Sequence, residues 1–103
     1  MKYQLVLQFP AEAITDYEDL IAIEDVLMEE LGGLADVDGH DRGSGEMNIF
    51  IFADEPKVAF EKIKPVLATR KNFAKFVAAY RETDGEDYTI LWPPGYNTPF
   101  KIT

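Results

Sequence analysis

The chain holds one histidine, no cysteine and 19 acidic residues. Any metal or acid–base chemistry must therefore be built from carboxylates around His40. Asp36, Asp38 and His40 alternate along a stretch that reads as extended, which would bring their side chains out together, with Asp41 and Glu46 close by. Oxygen donors plus an imidazole can hold a divalent cation. The EF-hand loop is not met: counted from Asp36, the sixth position is Asp41 rather than glycine, and counted from Asp38, Ile49 stands where the bidentate Glu belongs. The same charges suit an exposed edge strand, where they discourage sheet-to-sheet pairing. These five residues are carried forward as an interaction or cation site, with no resident metal or cofactor expected.

The other charged cluster is basic. Lys57, Lys62, Lys64, Arg70, Lys71, Lys75 and Arg81 fall in residues 57–81, where Glu61 is the single acid. Most can form a solvated helix face. Arg70, Lys71 and Lys75 flank the start of a new helical stretch and make a candidate anion or partner site. Residues 12–55, by contrast, hold fourteen acids and one base, Arg42. The net charge of -9 is thus unevenly divided along the chain.

Other chemistries find little support. Ser44 is the only serine and sits in Gly43-Ser44-Gly45, so a Ser-His-Asp triad would have to span one hairpin with no evident oxyanion hole. That glycine-rich loop leads into a strand, not a helix, and is bordered by Asp41 and Glu46, which repel phosphate. Phe50 and Phe52 are placed like stacking residues of RNA-binding sheets, but their surroundings lack basic residues. An acidic total also weighs against phosphate-backbone binding. Zero cysteine excludes disulfides, thiol catalysis and Fe–S sites, and suits a reducing compartment.

The elements that must position these residues follow from periodicity. Residues 3–9 alternate as a half-buried strand that Pro10 ends. Residues 16–31 carry an apolar stripe of Tyr17, Leu20, Ile21, Leu27, Met28 and Leu31 at helical spacing, broken by Glu24, and Gly32-Gly33 supplies the stop. A weaker strand over 34–41 leads through a hairpin loop to a strong strand over 47–53, apolar on both faces and hence central. Pro56 opens a second helix, in which Pro65 predicts a kink or break. Phe73, Phe76, Val77 and Tyr80 predict a further helix over 72–81, and residues 88–92 a last strand.

The expected fold is an α+β, ferredoxin-like β-α-β-β-α(α)-β two-layer sandwich. Its antiparallel four-stranded sheet would run in the order 4-1-3-2, with helices on one face. Residues 1–95 would form a single domain and 96–103 a C-terminal tail. No apolar run reaches the length of a membrane span. The N-terminal stretch, interrupted by Gln4 and Gln8, reads as a strand and not a signal peptide, so a cytoplasmic location is expected.

The segments Asp38-Gly39-His40-Asp41-Arg42-Gly43-Ser44-Gly45-Glu46 through Phe52, and Asp84-Gly85-Glu86-Asp87-Tyr88 through Gly95, resemble those of small single-domain bacterial proteins of uncharacterised function. The resemblance implies this fold and a bacterial origin, and implies no activity.

The functional expectation is a non-enzymatic protein-interaction module. A two-layer fold leaves one sheet face without helix cover, so the tail, another element or a second chain must cover it, and self-association through that face is one outcome. The acidic flank would steer a basic partner, by analogy with small acidic proteins that neutralise basic toxins or nucleases. The alternative is a small ligand- or metal-binding domain, or an enzyme, using the acidic hairpin or the basic helical segment.

Overall fold

The structure, a computed structural model, describes residues 2–10, 17–43, 45–69, 75–96 and 100. Its elements in chain order are β1 (Tyr3–Pro10), α1 (Tyr17–Leu31), β2 (Ala35–Gly43), β3 (Glu46–Ala53), α2 (Pro56–Ala68), β4 (Val77–Glu82) and β5 (Thr89–Trp92). All strand pairs are antiparallel, and the sheet runs β2-β3-β1-β4-β5. The fold is α+β, with five strands where four were expected, so the order 4-1-3-2 does not describe the whole sheet.

The discrepancy comes from the helix expected over 72–81, of which residues 72–74 lie outside the described residues. Residues 77–82 form β4, not the end of a helix. Ala78 and Ala79 look helical by propensity, but tertiary pairing overrides it. β1 needs a neighbour on the side away from β3, and Val77–Glu82 supplies it, with Leu7 opposite Ala78 and Leu5 opposite Tyr80. Ala78 and Ala79 point to opposite faces, and both are fully buried. In the strand the two alanines fill both faces of the sheet, which a helix lying on the surface of the sheet would not do. The last strand is then displaced to the edge as β5.

The core lies between one face of the sheet and the two helices. Leu5, Leu7 and Phe9 of β1 and Met47, Ile49 and Ile51 of β3 meet Leu20, Ile23, Leu27 and Leu31 of α1, and Ala59, Phe60, Ile63 and Leu67 of α2. The stripe on α1 is turned slightly from the expected one. Ile23 is fully buried, while Ile21 and Met28 are 38% and 48% exposed. Gly32 ends α1 in the left-handed region (φ 53°), and its N–H donates to the Met28 carbonyl at 3.0 Å. Pro65 does not break α2. It occupies the last turn, and the helix ends three residues later at Ala68. Pro56 opens the helix at its first position, and Asp54 before it accepts a hydrogen bond from the Lys2 backbone N–H at 3.1 Å, tying the end of β3 to the start of β1.

Phe76 and Trp92 stack at 6.1 Å beneath Phe60 and close the core at the β4–β5 side. Lys64 lies 4.4 Å above the Trp92 ring. No helix among the described residues is long and apolar enough to cross a membrane.

Candidate interaction surface

The acidic hairpin is arranged differently from its alternating sequence. β2 is an edge strand, as the charge pattern suits. It contains a bulge: Val37 pairs with Ile51 and Gly39 with Phe50, leaving Asp38 as the extra residue. Residues that pair directly across an antiparallel ladder share a face. Asp36 pairs with Phe52 and Asp41 with Asn48, so both lie on the face away from the helices. His40 pairs with Ile49, a core residue, and so lies on the helix face. The bulge thus separates His40 from Asp36 instead of lining them up. Asp36, Asp38 and Asp41 are exposed and Glu46 is half-buried. Among the described residues, no three His, Cys, Asp or Glu groups come together as metal ligands.

His40 finds a different partner. Its Nδ1 donates to Glu24 Oε1 at 2.9 Å, with the two side chains 25% and 7% exposed. Glu24 is the residue that interrupts the apolar stripe of the first helix, and the pair explains why it is tolerated there. A buried carboxylate needs a hydrogen-bonded, oppositely charged or polar neighbour. The anomaly at position 24 was visible in the sequence. Its partner was not, because the bulge reverses the face on which His40 emerges.

Of the basic candidates, Arg70 and Lys71 lie outside the described residues. Lys75 is exposed in the bend before β4. Phe50 and Phe52 are half-buried on the sheet face opposite the helices. The centre of that face is closed within the single chain: Val6, Ala79 and Asn48 have no exposed surface and Gln8 has 7%. Gln8 Nε2 donates to Asn48 Oδ1 at 3.1 Å, while the buried Asn48 Nδ2 has no partner among the described residues. Self-association through this face has half-buried Phe50, Phe52, Val77 and Ile90 to draw on, not a bare apolar sheet. From the tail, Phe100 packs on Tyr88 with ring centroids 4.8 Å apart.

A second acidic surface lies across the sheet from β2, at the β4–β5 corner. Glu82, Asp84, Glu86 and Asp87 are exposed on and after β4. Arg81 orders this corner. Its Nη1 donates to the carbonyls of Glu82, Thr83 and Gly85 at 2.9–3.0 Å, and its guanidinium lies 6.0 Å from the Tyr88 ring centre. Sequence reasoning assigned Arg81 to a basic helix face and passed over the acids beyond it. The run Glu82 to Asp87 was the available signal.

No family model matches the chain. Neither the curated proteins nor the solved structures compared with it yield a match. The resemblance to small bacterial proteins gains no support from these comparisons.

Proposed function

We propose that the chain is a non-enzymatic interaction protein that engages a basic protein partner through exposed carboxylates. The observation that carries this reading is how its acids are used. Glu24 is the one buried carboxylate among the described residues, and it has its own partner in His40. Asp36, Asp38 and Asp41 on β2, and Glu82, Glu86 and Asp87 at the β4–β5 corner, are exposed and take part in no ion pair among the described residues. Their mutual repulsion costs stability without a compensating ion pair among the described residues. Such a surface favours association with positive charge and raises the encounter rate with it.

The dispersal of His40 and the hairpin acids gives an enzyme or cation-site reading less to build on. The first four strands, with β1 and β3 inside and a helix after each, support a ferredoxin-like core to which β5 adds an edge. The absence of cysteine accords with action in the cytoplasm.

Affinity capture with the full chain from cells of its source, at low and high salt, tests the proposal. The expected result is a basic protein retained at about 50 mM salt and released near 300 mM, since exposed charge pairs are screened over roughly 6–14 Å in that range. A partner that is acidic, or held equally at both concentrations, would contradict it.

A further inference from the structure

A cleft of about 410 Å³ opens at the corner where β1 begins and β4 ends, with Tyr3, Tyr80, Arg81, Glu82, Glu86 and Asp87 among its lining residues. We infer that this cleft is a receptor for an arginine or lysine side chain of a basic polypeptide. The inference rests on the reading of the acidic surface above and gives that surface a specific point of contact.

Three observations support a cationic occupant. Tyr3 and Tyr80 are half-buried and meet edge-to-face at 5.7 Å. The face of an aromatic ring carries negative potential and attracts an organic cation. Glu82 lies directly opposite Tyr3 across the ladder, and Glu86 and Asp87 are exposed in the loop, so three carboxylates border the aromatic wall. Arg81 also lines the cleft and keeps its positive charge, and the three carboxylates outnumber it, so the lining stays net negative. Its Nη1 donates to three carbonyls of residues 82–85 and its guanidinium lies over Tyr88, which holds the loop in the shape that forms the cleft. An anion would face those carboxylates, and a neutral apolar group would leave them unused. The volume falls in the lower part of the range of small-ligand clefts.

The test is a titration of the isotope-labelled full chain, followed by amide chemical shifts, with a blocked peptide carrying two arginines spaced by glycine. A matching peptide carries citrulline in place of arginine. The arginine peptide is expected to shift Tyr3, Tyr80 and residues 82–89, and the citrulline peptide to shift none of them. Glu86→Gln with Asp87→Asn is expected to weaken binding at least tenfold, and Asp36→Asn with Asp38→Asn no more than twofold. Tyr3→Leu, which keeps net charge and apolar bulk, is expected to weaken it severalfold. Equal loss from both acid pairs would overturn the cleft while leaving a general acidic attraction standing. So would shifts spread over α1 and β2, or no effect of Tyr3→Leu. No binding of the arginine peptide would overturn it as well, and capture of a basic partner by the full chain would then show that the broader reading survives.

Discussion

Glu24 and His40 owe their roles to each other and not to their neighbours in the chain. In the sequence, Glu24 is a flaw in an apolar stripe and His40 a ligand in an acidic array. In the fold they are a structural pair that ties α1 to β2. Removing one member leaves a buried polar group without its partner, which costs about 1–3 kcal/mol. Glu24→Ala should therefore lower unfolding stability by that amount in urea. Glu24→Leu combined with His40→Leu should recover much of the loss, because a well-packed apolar pair can replace a buried polar one. Strictly additive losses in this double-mutant cycle would mean the two side chains do not depend on each other. The buried Gln8–Asn48 pair is a comparable device on the other sheet face.

At the scale of elements, the bulge in β2 decides where side chains emerge. Gly39 beside it has φ 154°, a conformation that a side chain resists. Gly39→Ala should cost about 1–2 kcal/mol, read as a lower midpoint in thermal or urea unfolding. A neutral outcome would show that the bulge adjusts without strain. The register of β4 is equally decisive. Amide exchange should be slow across β4 at the positions bonded to β1, and Ala79→Asp, which buries a charge, should destabilise the chain by several kcal/mol. Fast exchange throughout residues 77–82 would contradict the strand.

These elements also mark what was legible in the sequence. β1, α1, β3 and α2 were readable from their apolar patterns and their glycine and proline stops, although β1 is buried on both faces over residues 5–9 where its alternation predicts one. β4 was not, because two alanines satisfy a helical pattern and a buried strand alike, and only the need of β1 for a second neighbour separates the two. The candidate site suffered from the same limit. The acids of β2 were found, but one extra residue in the ladder sent His40 to the opposite face. The corner formed by Tyr3, Tyr80 and the β4–β5 loop joins parts of the chain nearly eighty residues apart, and no local spacing announces it.

For the whole molecule, a net charge of -9 is a property of the surface more than of the core. The described acids of β2 and of the β4–β5 corner are exposed, and the one buried carboxylate among the described residues is Glu24. Function and folding should therefore separate when surface charge is removed. The most direct measurement is a variant carrying Asp36→Asn, Asp38→Asn, Asp41→Asn, Glu86→Gln and Asp87→Asn, compared with the native chain for both unfolding midpoint and partner capture. An unchanged or higher midpoint is expected, since like charges are relieved, together with loss of the basic partner. A variant that unfolds, or one that retains the same partner at the same salt, would contradict the assignment of these acids to recognition.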